Sequence, residues 1–298
     1  MTDRGRRRAA TGLAALVGLV LAGSVAACSD PPGPTIERER HAQDGARYVA
    51  LGDSYTAGPR LGADSGPPGC EQTTGNYPHL VAERLDLALT DVSCGGATTA
   101  DLAGSQTPPN GEPLPPQLDA VTEDTDLVTL GIGGNDGRVF GRLMTTCVGQ
   151  AARDRAGAPC SAKGAEFRAL VERQLAKLPG RLVEAIEAIR ARAPDARILV
   201  VGYPAIFPAS GTCDLLPLAR GDYPFARELV GRINDGLSAA AATTGVGYVD
   251  VWSATDGHDI CSTDPWIAGI APERPGLEYH PYAEEQAAVA DLLVDELR

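Results

Sequence analysis

The segment from residue 48 to residue 58 reads YVALGDSYTAG and joins a short apolar run to a glycine-flanked turn. The apolar run is typical of a buried strand, and Gly52 and Gly58 allow the chain to turn tightly at its end. This pattern places Ser54 at the carboxyl end of a strand, where open α/β sheets bind their ligands. For Gly-Asp-Ser alone, a helix N-cap is the simpler interpretation. The G-x-S-x-G elbow is absent at Ser54, which disfavours an α/β-hydrolase.

Further apolar runs alternate with segments of helical spacing. The predicted strands cover residues 48–51, 87–92, 127–132, 198–201 and 248–251. The predicted helices include residues 77–85, 167–189 and 225–242, and Pro179 is expected to kink or split the longest of them. Alternation of strand and helix predicts an α/β fold, a three-layer α/β/α sandwich around a central parallel sheet of about five strands, covered on both faces.

The amino terminus has the features of an export signal. Arg4, Arg6, Arg7 and Arg8 precede an apolar stretch that ends in V-A-A-C at Cys28. A charged start, a short apolar core and small residues before the cut define such a signal. V-A-A-C resembles the lipobox of bacterial lipoproteins, which predicts lipidation of Cys28 and attachment to the membrane outside the cytoplasm. The alternative is an ordinary cleaved signal and a secreted protein.

Domain boundaries follow from this interpretation. Residues 1–27 are the predicted signal peptide, residues 28–46 a Pro-, Gly- and charge-rich flexible tether, and residues 47–298 one folded domain. Removal of residues 1–27 takes the formal charge from −13 to −16. So acidic a chain is a poor partner for nucleic acid. We expect a monomer, although no residue pattern determines the oligomeric state.

Six cysteines follow Cys28, and an even number in an exported chain indicates disulfides. They are Cys70, Cys94, Cys147, Cys160, Cys213 and Cys261. Six cysteines allow fifteen connectivities, among which spacing only favours a local bridge between Cys147 and Cys160. The absence of C-x-x-C and H-x-x-x-H pairs argues against a zinc site, and no cofactor is expected.

Three more blocks follow the Ser54 turn in a fixed order. They are Ser93-Cys94-Gly95-Gly96-Ala97-Thr98-Thr99, Gly131-Ile132-Gly133-Gly134-Asn135-Asp136 and Glu278-Tyr279-His280-Pro281. Together with the Ser54 turn they resemble the SGNH (GDSL) hydrolase family over nearly all of residues 47–298. The resemblance implies a nucleophile at Ser54, a base at His280, and oxyanion donors at Gly96 and Asn135 together with the Ser54 amide. These are the groups that acyl transfer requires.

One position departs from the family pattern. The Asp that commonly stands three residues before the base is Leu277 here. Some secreted actinobacterial lipases and esterases of the family use a backbone carbonyl instead, so we expect the Leu277 carbonyl to orient His280, with the Glu278 side chain as its rival. Members of that branch also imply three disulfides, Cys70–Cys94, Cys147–Cys160 and Cys213–Cys261. Asp53 and Asp136 are interpreted as acceptors that fix their loops.

The expected function is a serine esterase or lipase that hydrolyses acyl or lipid esters through an acyl-enzyme. A carbohydrate acetyl-esterase of the same fold is the close alternative. A lipoprotein that binds lipid or glycan without catalysis is the alternative from another class. A two-lobed solute-binding lipoprotein is a third, which the single succession of strands and helices disfavours.

Overall fold

The computed structural model describes residues 45–162 and 164–298. The predicted signal peptide, Cys28 and all but two residues of the predicted tether lie outside these residues. Five parallel strands form one sheet in the order β2-β1-β3-β4-β5. The strands are β1 Arg47–Gly52, β2 Ala88–Asp91, β3 Leu127–Gly131, β4 Arg197–Val201 and β5 Gly247–Val249.

Eight α-helices connect and flank the strands in the described part of the chain. They are α1 Ser54–Ala57, α2 Tyr77–Leu85, α3 Val139–Arg142, α4 Val148–Ala151, α5 Ala165–Arg192, α6 Tyr223–Thr244, α7 Val251–Ala254 and α8 Ala283–Leu297. Short 3₁₀ turns cover Thr99–Leu102, Gln117–Ala120, Asp136–Arg138 and Arg220–Asp222, and Leu143–Cys147 form a π-helical turn.

Alternating strand residues divide the core into two layers. Val128 and Leu130 of β3 share one apolar cluster with α5 and α6, whereas Leu127 belongs to a second cluster with α2 and α8. Successive side chains of a strand point to opposite faces, so each face of the sheet receives its own helical layer. The predicted three-layer α/β/α sandwich with five parallel strands is confirmed.

Three local expectations are corrected. β2 is an edge strand with partly exposed side chains rather than a strand covered on both faces, since it pairs only with β1. β5 ends at Val249 because Asp250 caps α7 by accepting a hydrogen bond from the Ser253 amide at 3.0 Å. Helix α5 is continuous through Pro179, so the predicted split is wrong.

Packing explains the tolerance of proline inside α5. The neighbouring Leu178 and Leu182 are fully buried in the core. Burial of each leucine contributes about 1.5 to 3 kcal/mol, which offsets the roughly 3 kcal/mol that an internal proline costs.

The structure also contains the disulfides Cys70–Cys94, Cys147–Cys160 and Cys213–Cys261, the pairing that the resemblance implies.

Candidate active site

Ser54 is the first residue of α1 and follows the carboxyl end of β1. Asp53 is the N-cap, and its Oδ1 accepts a hydrogen bond from the Tyr55 amide at 2.9 Å. Gly58 ends the helix after a single turn in the left-handed conformation, with φ of 64°. The N-cap interpretation of Gly-Asp-Ser therefore holds for Asp53, whereas the Ser54 hydroxyl is left for another partner.

That partner is His280, which lies 226 positions later in the chain. Ser54 Oγ and His280 Nε2 are 2.8 Å apart, a hydrogen-bond distance. The other ring nitrogen, Nδ1, lies 2.8 Å from the backbone carbonyl oxygen of Glu278. Because this carbonyl can only accept, it fixes the tautomer with hydrogen on Nδ1 and leaves the Nε2 lone pair toward Ser54.

The predicted orienting role of the Leu277 carbonyl is wrong. That oxygen accepts the backbone amide of His280 at 3.0 Å, and the Glu278 carbonyl faces the ring instead. Tyr279 adopts a left-handed backbone with φ of 64°, which turns the chain between Glu278 and His280. In the described part of the chain, the Glu278 carboxylate makes no hydrogen bond to His280, so the rival side-chain interpretation also fails.

Burial determines the protonation state of the imidazole. The pKa of His280 falls to about 4 as a net result: burial lowers it most, the hydrogen bond to the Glu278 carbonyl raises it, and the positive charge of Arg60 lowers it. The ring is therefore neutral at physiological pH. A neutral imidazole beside a serine hydroxyl can accept its proton.

The loop after β2 presents an unused backbone donor. The Gly95 amide donates to the Cys70 carbonyl at 2.8 Å, whereas the Gly96 amide has no acceptor among the described residues. Gly96 has φ of 75°, a conformation that glycine adopts without steric cost. The Cys70–Cys94 disulfide ties this loop to the segment that follows the Ser54 turn. These contacts favour Gly96 over Gly95 as the donor to a ligand.

Asn135 follows β3 on the other side of β1. Its side-chain amide donates to the Ala97 carbonyl at 3.2 Å, which places Nδ2 beside the Gly96 loop. Because β2 and β3 both pair with β1, their carboxyl ends bring Gly96, Asn135 and Ser54 to one edge of the sheet. The Ser54 amide likewise has no acceptor in the described part of the chain. Three N–H groups are thus available near one serine.

Two carboxylates hold the loops around these donors. Asp53 Oδ2 accepts from the Tyr203 hydroxyl at 2.5 Å, and the same hydroxyl accepts from the Gly134 amide at 2.8 Å. Burial raises the pKa of Asp53 to about 7, although the hydrogen bonds from the Tyr203 hydroxyl and the Tyr55 amide lower it. Asp136 accepts from the Thr99 amide at 2.9 Å and from Arg181 at 2.7 Å. Both contact sets match the predicted loop-fixing role.

Sequence reasoning missed several side chains that position the site. Tyr55 donates its hydroxyl to the Tyr279 carbonyl at 2.7 Å, and Gln286 Nε2 donates to the Tyr55 carbonyl at 3.0 Å. Glu285 is buried beside Gln286, and burial raises its pKa to about 8. Tyr55 directly follows Ser54, which was its only signal in the sequence. Gln286 had none, because its contact with Tyr55 joins residues 231 positions apart, and Glu285 contacts its neighbour Gln286.

Each tryptophan ring pairs with a side chain other than Ser54 or His280. Trp252 lies under Arg227 and lines a surface groove of about 750 Å³ that neither of those residues lines. Trp266 stacks on His258, with ring centroids 3.7 Å apart.

Among residues 45–162 and 164–298, no cluster of His, Cys, Asp and Glu is arranged to hold a metal ion. No helix within those ranges is long and apolar enough to cross a bilayer.

Comparison with known proteins gives consistent matches along the chain. The model of the GDSL-like lipase/acylhydrolase family matches residues 50–288. Lipase 2 of Streptomyces coelicolor is 41% identical over 258 residues, which cover 84% of this chain and 85% of that protein. The match to the family model spans both the Ser54 turn and the His280 block.

Solved structures agree with this assignment. Phospholipase A1 from Streptomyces albidoflavus NA297 is 34% identical with a TM-score of 0.68, covering 85% of this chain and 98% of its own. An extracellular lipase from Streptomyces rimosus is 30% identical with a TM-score of 0.64, covering 85% of this chain and 99% of its own. The chain therefore belongs to the GDSL-like lipase/acylhydrolase family and is a carboxylic ester hydrolase.

Proposed function

We propose that Ser54 and His280 form a catalytic dyad that hydrolyses acyl esters through an acyl-enzyme. The observation that supports it most is the 2.8 Å contact between Ser54 Oγ and His280 Nε2, with Nδ1 held by a backbone carbonyl. A serine is a weak nucleophile at its ordinary pKa, and an adjacent oriented base activates it. No carboxylate is needed to set the tautomer, because the Glu278 carbonyl does so.

The reaction proceeds in two acyl transfers. Ser54 Oγ attacks the ester carbonyl carbon while His280 Nε2 takes the hydroxyl proton, and a tetrahedral oxyanion forms. Collapse breaks the bond to the alcohol oxygen, which receives the proton from His280 Nε2. Water then attacks the acyl-enzyme with His280 again as base, and the acid leaves as Ser54 regains its proton.

The Ser54 amide, the Gly96 amide and the Asn135 side chain form the oxyanion hole. Two of these donors, the amides of Ser54 and Gly96, lack protein acceptors in the described part of the chain, so they are free to bind developing negative charge. Fixed donors aimed at the oxyanion are worth about 3 kcal/mol each where comparable donors have been removed.

Labelling with a fluorophosphonate tests the dyad. We expect the wild type and the control variant Ser210→Ala, which alters an exposed serine, to be labelled, and Ser54→Ala to remain unlabelled. His280→Ala should lower the labelling rate by at least about 10³-fold, because the hydroxyl loses its base. Labelling of Ser54→Ala would contradict the assignment. Absence of labelling in the wild type would show that Ser54 is not an activated nucleophile.

We propose lipid or other long acyl esters as substrates. Support comes from relatives at 41% and 34% identity that carry the names lipase and phospholipase A1. A panel of p-nitrophenyl esters from acetate to palmitate distinguishes this from a carbohydrate acetyl-esterase. A lipase retains or gains kcat/KM as the acyl chain lengthens, whereas an acetyl-esterase falls sharply beyond acetate.

We further propose that the protein works outside the cytoplasm, with residues 1–27 as signal peptide and residues 28–46 as a tether from a lipidated Cys28 to the hydrolase domain. V-A-A-C at residues 25–28 and the three disulfides support this proposal, since disulfides persist in oxidising compartments. In a bacterial host, metabolic palmitate should label the wild type but not Cys28→Ser. Equal labelling of both proteins would contradict the anchor.

A further inference from the structure

Tyr55 lies directly after the nucleophile in the chain and contacts the base in space. Its ring centroid is 5.3 Å from that of His280, and the two planes meet at 35°. Its hydroxyl donates to the Tyr279 carbonyl at 2.7 Å, immediately before the histidine. One side chain thus joins the nucleophile helix both to the imidazole and to the backbone that carries it.

Neighbouring groups hold Tyr55 in this position. The ring packs edge-on against Tyr203, with centroids 5.3 Å apart, and edge-on against Phe140 at 6.4 Å. The Gln286 side chain fixes the Tyr55 carbonyl from α8 at 3.0 Å. A side chain locked by packing and hydrogen bonds keeps its neighbour in a productive geometry at little entropic cost.

Proton transfer within the dyad creates a positive charge on His280, and the Tyr55 ring can stabilise that charge. When His280 takes the Ser54 proton, its ring becomes an imidazolium whose Nδ1 hydrogen meets only the neutral Glu278 carbonyl. A cation over an aromatic face and within about 6 Å of its centroid is attracted by the ring, and the imidazole lies within that distance at a 35° tilt. Because the charge exists only as the proton transfers, this attraction lowers the barrier without tightening substrate binding.

We propose that Tyr55 is a positioning residue for His280 that stabilises the imidazolium as a triad acid would, while the Glu278 carbonyl sets the tautomer. Its hydroxyl holds the histidine backbone and its ring supports the imidazolium. This inference rests on the proposed Ser54–His280 dyad and extends it to the residue after the nucleophile.

The first test separates the hydroxyl from the ring. Tyr55→Phe keeps the ring and loses the bond to the Tyr279 carbonyl, so we expect kcat for a p-nitrophenyl ester to fall about fivefold with KM unchanged. Tyr48→Phe is the matched control, because it also removes a hydroxyl hydrogen bond, to Thr129 at 2.8 Å, but within the buried sheet. Wild-type kcat in Tyr55→Phe would overturn the role of the hydroxyl.

The second test changes the electrostatics of the ring at nearly constant size. Starting from Tyr55→Phe, phenylalanine analogues with one, two and three ring fluorines at position 55 progressively weaken the negative face. We expect kcat to fall stepwise, by about tenfold over the series, equal to about 1.4 kcal/mol of barrier, with KM and Tm unchanged. A merely structural role predicts the same kcat for every analogue, and that result would overturn the role of the ring.

The dyad itself is checked in the same assay. If His280→Ala retains wild-type kcat, the proposed dyad is wrong and Tyr55 has no base to position. If His280→Ala is inactive while the fluorinated series is flat and Tyr55→Phe is unchanged, the dyad stands and the inference about Tyr55 is overturned.

Discussion

The turn that carries Ser54 and the loop that carries His280 meet at the candidate active site, but different contacts hold each of them in place. The Ser54 turn is anchored at the carboxyl ends of the strands. The Cys94 amide donates to the Gly52 carbonyl at 3.1 Å, and the Gln117 side chain bonds both backbone groups of Gly52 at 2.9 Å. The histidine loop, residues 276–282, has no strand of its own. It is held by a short backbone pairing with residues 266–268 and by Tyr55.

Because of this difference, side chains hold the Ser54 half of the site and backbone groups hold the His280 half. Around Ser54, side chains brace the loops: Asn135 donates to the Ala97 carbonyl and Asp53 accepts from the Tyr203 hydroxyl. Around His280, one backbone carbonyl, that of Glu278, contacts the ring in place of a loop side chain. Substitutions at the sheet edge should therefore affect catalysis more than substitutions of loop side chains.

The largest effect is expected at the sheet edge. Asn135→Ala removes one oxyanion donor, so we expect kcat to fall 10²- to 10³-fold with KM changed less than threefold. Steady-state kinetics with a soluble p-nitrophenyl ester measure it, and thermal unfolding shows whether loss of the bond to the Ala97 carbonyl lowers Tm. A kcat within fivefold of the wild type would show that Asn135 only shapes its turn.

The pH dependence tests the base without any substitution. Burial lowers the pKa of His280 to about 4, and a protonated imidazole cannot accept the Ser54 proton. We therefore expect kcat/KM to be independent of this group above pH 5 and to fall about tenfold per pH unit below pH 4. Short assays after a pH jump avoid acid unfolding. An acid limb near pH 6.5 would mean that the ring is solvated or paired with a carboxylate.

Glu285 on α8 tests whether a buried carboxyl lowers the free energy of unfolding as pH rises. Burial raises its pKa from 4.5 to about 8, so the folded protein holds this proton over a range in which the unfolded chain releases it. Stability from this group therefore decreases as pH rises from about 4.5 to 8. Glu285→Gln should raise Tm by about 5 °C at pH 8 and by much less at pH 5.

Thermal unfolding at the two pH values measures the Glu285 effect. Asp295→Asn is the matched control, because it neutralises an exposed carboxylate on the same helix α8. The same shift for both variants, or a Glu285→Gln shift that does not depend on pH, would show that the buried carboxyl is not the cause.

The smallest effect is expected in the histidine loop. Glu278→Gln leaves the backbone carbonyl that orients His280 in place, so we expect kcat within twofold of the wild type. Glu273→Gln, another exposed glutamate, is the control. A loss near 10⁴-fold, the size seen when a triad acid is neutralised, would show that the Glu278 carboxylate orients the base.

Much of the fold was predictable because it depends on local patterns. Apolar runs followed by glycine or polar residues marked all five strands, and helical spacing marked α2, α5 and α6. The errors came where packing against other elements decides the structure. β2 is an edge strand because of its place in the sheet order, and burial of Leu178 and Leu182 offsets the cost of Pro179 inside α5. Propensity alone cannot anticipate such packing.

The sequence by itself determined the order of strands and helices, the serine at a strand end, and the four blocks that bring Ser54, Gly96, Asn135 and His280 into one family pattern. Only the tertiary structure decided which carbonyl orients the base and which side chains brace it. The left-handed backbone of Tyr279 places the Glu278 carbonyl, rather than that of Leu277, against Nδ1. Chain closure over 224 positions brings the Tyr55 hydroxyl to the Tyr279 carbonyl. Single torsions and long-range contacts of this kind leave no periodic trace in the sequence, because they arise only once the sheet and its loops have assembled.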